Sequence, residues 1–219
     1  MNIHSRPILI YRWAVFLMAA AYCVYQVVSN DYSSPFGPFR FLTIWALFVS
    51  FYSASRMLAL SQGRITRCHD VTAMTAAVLN VMVCFLYWKL VFTDPALVRG
   101  SNGVIWHQEY YLHALGPALQ IFDALFIAGA FRRIWRAAPV LIAVIAAYVL
   151  WSEFVLAPLS DSPVGSVTSG LPYPFLNSLE LSGRMTFYIS NGVVAIGVLC
   201  ALGLVGWIIR RAQTRTPAT

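Results

Sequence analysis

Charged residues are scarce in this sequence. Only 11% of the 219 residues are charged, whereas 59% are hydrophobic, and the mean hydropathy is +0.69. A soluble domain of this length usually carries about 25% charged residues. This chain has too little charge to cover a globular surface, so the composition excludes a soluble globular class and predicts that lipid is its solvent.

Cysteine is also sparse, and its spacing is uninformative. The four cysteines form no CxxC pair and no Cys/His pattern, which argues against redox and zinc chemistry, and we expect neither a metal nor a cofactor. An A-x-A cleavage pattern after the first apolar run is lacking as well. We therefore expect that run to remain in the protein as a helix.

Lysine is almost missing, with one residue against fourteen arginines. This imbalance favours a GC-rich genome and predicts a bacterial inner (plasma) membrane protein. The net charge is +7, but the basic residues form small clusters along the whole chain. Such a spread argues against nucleic acid as a partner and is typical of membrane-protein loops.

Apolar stretches long enough to cross a bilayer are abundant. A bilayer core needs about 20 mostly apolar residues per helix. The stretches cover residues 8–28, 40–60, 71–92, 112–131, 138–156 and 185–209, each within about four residues. The sequence thus predicts an all-α integral membrane protein, with residues 1–219 forming a single domain of six transmembrane helices.

The arginines predict the orientation of these six spans. One side of the membrane receives eleven of them: Arg6, Arg12, Arg56, Arg64, Arg67, Arg132, Arg133, Arg136, Arg210, Arg211 and Arg215. The other side holds Arg40, Arg99, Arg184 and, near the end of span three, Lys89. Because cytoplasmic loops carry the excess of positive charge, both termini are predicted to be cytoplasmic.

Polar residues interrupt the fourth apolar stretch, which contains YYLHALGPALQIFDALF from residue 110 to residue 126. His113 falls in the first turn, and Gln120 shares its helical face. Asp123 lies about 15 Å further along, near the bilayer middle, where an ionised carboxylate costs about 2.5–3.5 kcal/mol. We expect it to be protonated, paired or beside a wet cavity. Candidate partners on neighbouring helices are Asn80, Ser190 and Asn191.

Pro117 follows His113 by four residues. Proline has no amide hydrogen, so the helix cannot use the carbonyl oxygen of His113 as an acceptor at this point. The sequence predicts a kink here and a carbonyl group of His113 that is free of the helix ladder.

Thr43 lies at the start of span two, at a depth similar to that of His113. Span two enters the membrane from the outer side at Arg40, and Ser50 lies two turns below Thr43 on the same face. A hydroxyl and an imidazole near one membrane surface meet a geometric condition for nucleophilic catalysis. A structural role stays open, because a threonine in a helix often bonds a carbonyl of the preceding turn.

Three short motifs carry a family resemblance. FRFLTIWAL around Thr43, LHALGP around His113 and YPFLNSL from Tyr173 resemble, in order and spacing, the androgen-induced gene family, which includes the androgen-dependent TFPI-regulating protein. The resemblance implies an integral-membrane threonine hydrolase that cleaves fatty acid esters of hydroxy fatty acids. It also implies Thr43 and His113 as catalytic residues, and Asp123 matches an acidic position of the family.

The remaining parts of such a site are open from sequence. The acyl chains of a lipid substrate need an apolar cavity beneath the outer surface, and outer positive residues suit a carboxylate head. The oxyanion of the tetrahedral intermediate needs hydrogen-bond donors. Candidates are Arg184, Lys89, Tyr173 or an amide of the outer loop, while Gln120 and Asp123 are expected to support the site from below.

Other function classes fit parts of the pattern. A proton-coupled transporter would use Asp123, His113 and Glu153 as a relay, although no pair of Gly/Pro-broken helices marks an inverted repeat. A b-type cytochrome needs two intramembrane histidines, and only His113 clearly qualifies. A non-enzymatic polytopic scaffold gives no role to the polar residues at similar depth, Thr43 and His113.

Overall fold

The computed structural model describes residues 2–30, 32, 36–95, 105–159 and 171–215, and over these ranges it is helical without any strand. Six long helices follow one another: α1 (Arg6–Val28), α2 (Leu42–Ser61), α3 (Asp70–Thr93), α4 (106–127), α5 (Ile134–Leu159) and α6 (Leu181–Arg215). A 3-10 turn, Gly37–Arg40, precedes α2, and a one-turn helix, Pro174–Asn177, precedes α6.

Five of these helices are long and apolar enough to cross a membrane, namely α1, α2, α3, α5 and α6. The predicted all-α class and the multi-pass membrane character are confirmed to that extent. Two α-helical and two π-helical segments alternate along α4, and α5 also contains a π-helical segment, Trp151–Leu156.

The prediction of the fourth span was wrong at its start, whereas its end lies four residues before the predicted one, within the margin given. The helix begins at Trp106 rather than at residue 112, because its first turn, WHQEY, is helical although it is too polar to count as a membrane segment. It ends at Ile127 rather than at residue 131, because Gly129 adopts a left-handed φ of 58° that stops the helix. Similarly, α6 continues beyond the predicted residue 209 to Arg215.

Two π-helical turns interrupt α4, at Tyr111–Leu115 and Asp123–Ile127. The first π turn directly precedes Pro117, which has no amide hydrogen for the α-helical hydrogen bond. In this turn the amide of Gly116 donates to the carbonyl oxygen of Tyr111, five residues earlier, as in a π-helix. The chain therefore accommodates the proline without a break. His113 and Asp123 both lie in these widened turns.

Helix α3 lies at the centre of the bundle and packs against α2, α4, α5 and α6. Small and medium residues on its inner half, such as Ala76, Ala77 and Val78, are fully buried. Such residues let helix backbones approach closely, which is how helices associate where lipid gives no hydrophobic drive.

A buried ion pair joins α1 to α4. Arg12 is 1% exposed, and its Nε and Nη2 atoms donate to the two carboxylate oxygens of Asp123 at 2.9 and 2.8 Å. The Nη1 group donates to the carbonyl of Met57 and the hydroxyl of Ser61 on α2. All three helices are thus tied at one point, which lies at the end of α4 opposite to His113.

The sequence analysis placed Arg12 in a terminal cluster of arginines, which was wrong, because the helix already begins at Arg6 and carries Arg12 into the bundle. The expectation that Asp123 is protonated, paired or beside a wet cavity is confirmed in its second form, the ion pair. Its side-chain partner is Arg12 and not one of the polar residues proposed from sequence.

Candidate functional site

A cavity of about 200 Å³ lies where α1 ends and α2 begins, beside the first half of α4. Four helices and the segment before the one-turn helix contribute to its walls. Its polar and aromatic lining includes Gln26, Thr43, Tyr87, Glu109, His113 and Tyr173. Apolar side chains such as Val83, Leu86 and Leu90 of α3 form the rest of the wall, so the cavity is amphipathic.

Thr43 and His113 both line this cavity. Thr43 is the second residue of α2 and is half-buried, while His113 is 7% exposed in the first π turn of α4. The sequence placed these residues at similar depth, and the fold brings them to the walls of one chamber. The arrangement can bring a hydroxyl and an imidazole to the same bound molecule.

Side chains on two sides fix the orientation of the His113 imidazole. Its ring stacks on that of Tyr87 with centroids 3.6 Å apart and planes within 5°. Its Nδ1 atom lies 3.0 Å from Oε2 of Glu109. That distance suits a hydrogen bond, but the angle does not, so we treat the contact as electrostatic.

The backbone of His113 is held by α3. Its carbonyl oxygen accepts hydrogen bonds from Nε1 of Trp88 at 3.1 Å and from Sγ of Cys84 at 3.2 Å. The prediction that Pro117 frees this carbonyl is thereby confirmed. Cys84, Tyr87 and Trp88 lie on one face of α3, so a single helix face positions both the ring and the backbone of His113.

Sequence analysis missed Glu109 as a site residue. It precedes His113 by four residues, a spacing that places two side chains on one helix face. This spacing is visible in the sequence, but the span was predicted to begin at residue 112, which placed Glu109 in a loop. The earlier start of α4 at Trp106 is what brings the carboxylate next to the imidazole, one helical turn before it.

Of the donors predicted for an oxyanion, Tyr173 lies in the cavity wall. Burial raises the pKa of Tyr173 to about 12, so its hydroxyl stays protonated and can donate. Arg184 and Lys89, the other two candidates, are not among the described residues that line the cavity. Arg184 instead binds Glu153 at 2.8 and 2.9 Å.

Gln26 is a second residue that sequence analysis missed. It is 1% exposed, lines the cavity and has an Nε2 group without a hydrogen-bond partner among the described residues. A buried donor without an acceptor costs about 1–3 kcal/mol. The signal in the sequence was a lone amide two residues before the end of the apolar helix α1.

A column of polar groups continues below the cavity. The amide of Gln120 donates to the carbonyl of Ser50 at 3.2 Å, and Asn80 donates to the Ser50 hydroxyl at 2.7 Å. Two voids of about 10 Å³ flank Gln120, one reaching Thr43 and the other reaching Asp123. Each is close to the smallest space that holds a water molecule. Gln120 and Asp123 therefore lie beneath the cavity rather than in its wall.

The family model described as FAR-17a/AIG1-like protein matches residues 8–205, which includes all four helices that wall the cavity. No curated protein and no solved structure matches the chain. The matched range is most of the 219 residues and contains Thr43, His113 and Tyr173. The chain therefore belongs to the FAR-17a/AIG1-like family, which is the androgen-induced gene 1 family.

Proposed function

We propose that this protein is an intramembrane carboxylic-ester hydrolase, with Thr43 as nucleophile and His113 as base. The observation that carries the proposal is the presence of both side chains on the walls of one amphipathic cavity, with the Glu109 carboxylate at Nδ1 of the imidazole. Membership of the androgen-induced gene 1 family is consistent with a membrane hydrolase.

The chemistry assigns a role to each side chain. A threonine hydroxyl is a weak nucleophile until a base takes its proton. In the proposed reaction Nε2 of His113 takes that proton while Oγ1 of Thr43 bonds the ester carbonyl carbon. The imidazolium then protonates the departing alcohol oxygen, and the acyl group remains on Thr43 until water hydrolyses it. Glu109, 3.0 Å from Nδ1, stabilises the imidazolium charge electrostatically, one of the roles that the carboxylate of a catalytic triad has.

The proposed substrates are neutral at the reacting group and apolar beyond it. The α3 side of the cavity wall is aliphatic and suits an acyl chain, whereas the reactive side chains lie at its polar side. Fatty acid esters of hydroxy fatty acids, the substrates implied by the resemblance, have a neutral ester group between apolar chains, and their single free carboxylate lies at the far end of one chain, outside the apolar part of the cavity in the proposed binding mode. We propose acyl lipids of this class as substrates.

The proposed topology has six spans with both termini in the cytoplasm. At 1.5 Å per residue, α4 is about 33 Å long, which matches a hydrocarbon core of about 30 Å. Removing the buried Arg12 from the eleven arginines assigned to one side leaves ten, so the positive-inside argument is retained. The cavity then opens toward the outer leaflet.

The contacts of the carboxylates argue against a proton-coupled transporter. Asp123 is held by both nitrogens of Arg12, and Glu153 is held by Arg184 and by the hydroxyl of Tyr188. Each carboxylate is thus held in a bidentate pair with an arginine, and neither is among the described residues that line the cavity with His113, so the described contacts do not join the three residues into a relay.

A panel of lipid esters tests the proposed function. Purified protein in detergent is incubated with fatty acid esters of hydroxy fatty acids, simple long-chain esters and triacylglycerols, and the released fatty acid is measured. We expect hydrolysis of at least one class by wild type and its loss in Thr43→Ala. The matched control is Thr186→Ala, because Thr186 is exposed on α6 and bonds only Ser182 in the described structure. Wild-type protein inactive on the whole panel would refute the proposal.

A further inference from the structure

The amide of Gln26 has a fixed orientation. Nδ2 of Asn30 donates to the backbone carbonyl of Gln26 at 2.8 Å, which identifies that atom as nitrogen. The same Nδ2 group donates to Oε1 of Gln26. The oxygen side of the Gln26 amide is thus occupied by Asn30, and its NH₂ group is the side without a partner among the described residues.

This NH₂ group requires an acceptor. Gln26 is 1% exposed, and within the described part of the chain its Nε2 atom has no partner. Buried polar groups in folded proteins are nearly always hydrogen-bonded, so an exception in a residue that lines a cavity indicates a ligand or an ordered water. A molecule bound in the cavity can satisfy this donor with an oxygen atom.

The charge of the cavity lining indicates which kind of ligand oxygen can accept the hydrogen bond from Gln26. Its described lining residues include the carboxylate of Glu109 but no arginine or lysine. A second carboxylate placed here would lie beside that like charge. A neutral carbonyl oxygen meets no such penalty. The positive outer residues expected to bind an anionic head are therefore not the groups that line this cavity.

The helix that carries Gln26 is locked to the helix that carries His113. One turn before Gln26, the ring of Tyr22 stacks on Tyr111 with centroids 3.8 Å apart and planes within 2°. The hydroxyl of Tyr22 also donates to the carbonyl of His107 at 3.0 Å. These contacts keep the donor and the imidazole on one rigid pair of helices, as a preorganised site requires.

We propose that Gln26 is a further catalytic residue whose Nε2 group donates to the carbonyl oxygen of the bound ester. The inference rests on the proposed function, which it extends. As Oγ1 of Thr43 bonds the carbonyl carbon and its proton moves to His113, the π electron pair of the carbonyl moves onto its oxygen. That oxyanion accepts the hydrogen bond from Gln26. When the pair returns, the bond to the alcohol oxygen breaks and His113 protonates it.

Kinetics provide the first test. Gln26→Met removes the donor at similar volume, and Gln26→Glu keeps the acceptor for Asn30 while replacing the nitrogen by oxygen. Losing one oxyanion donor lowers kcat by about 100- to 1,000-fold, so we expect that loss in both variants with KM little changed. Gln62→Met, at the opposite end of the bundle, is the matched control. An increase in KM alone would assign Gln26 to ground-state binding and overturn the proposal.

A spectroscopic test separates this inference from the hydrolase assignment. A long-chain dialkyl ketone with an isotope-labelled carbonyl cannot be hydrolysed, and a hydrogen bond lowers its infrared stretching frequency. We expect a lower frequency in wild type than in whichever of the two Gln26 variants retains the wild-type size-exclusion profile. Equal frequencies, or no shifted band in wild type, overturn the role of Gln26. If wild type shows the shift but cleaves no ester, the hydrolase assignment fails while the carbonyl site stands.

Discussion

Glu109 lies 3.0 Å from the imidazole of His113 and is the residue whose removal most directly tests how that base is activated. We predict that Glu109→Gln lowers kcat by about 10- to 100-fold, because a neutral amide cannot stabilise the imidazolium, whereas KM changes little. Stopped assays of fatty acid release measure both constants. If kcat is the same as in wild type, the carboxylate only supports the fold.

The pair formed by Arg12 and Asp123 acts on stability rather than chemistry. Asp123→Asn leaves the buried arginine without a counter-charge, and breaking a buried pair costs about 3–5 kcal/mol. We predict a clearly lower thermal unfolding temperature in detergent and a lower folding yield. The double variant Arg12→Met with Asp123→Leu removes both charges and is expected to recover much of the loss. A single variant as stable as wild type would show that the pair is dispensable.

At the scale of elements, α4 depends on a close contact at Gly116. A Cβ atom there would lie 2.9 Å from the carbonyl oxygen of Tyr111 and 3.2 Å from its ring. We predict that Gly116→Ala destabilises the protein by about 1–3 kcal/mol and lowers activity, because it displaces the π turn that carries His113. Gly197→Ala is the control, since a Cβ atom on Gly197 meets nothing within 4 Å. Equal unfolding temperatures for the two variants would contradict the prediction.

The same helix explains what sequence could and could not predict. Apolar length located the helices, and the missing amide of Pro117 predicted the free carbonyl of His113. Apolar length could not detect the polar first turn of α4, so Glu109 was overlooked. Apolar length also could not distinguish a buried arginine from one in a loop. Arg12 is buried with Asp123, which is 111 residues away in sequence, so no local pattern reveals the pair. The lone amide of Gln26 becomes informative only when the fold places it at a cavity.

At the scale of the whole molecule, the open question is whether α4 crosses the membrane. Single cysteines replace Trp106, the first residue of α4, and Arg132, which follows its end, in a background where the four native cysteines are replaced by serine, and they are labelled in intact cells or oriented vesicles. We predict that the two positions react from opposite sides, with position 132 cytoplasmic. Labelling of both from one side would contradict the six-span topology.

The cooperation of Thr43 and His113 is the central claim, and a double-mutant kinetic cycle tests it most directly. Hydrolysis of the best ester is measured for Thr43→Ala, His113→Ala, the double variant and Thr43→Ser. If the two side chains act as one unit, each alanine variant loses most of the activity, the double variant loses little more, and the serine variant keeps part of it because a hydroxyl remains. Losses that multiply in the double variant, or an alanine variant with wild-type kcat, would contradict the assignment.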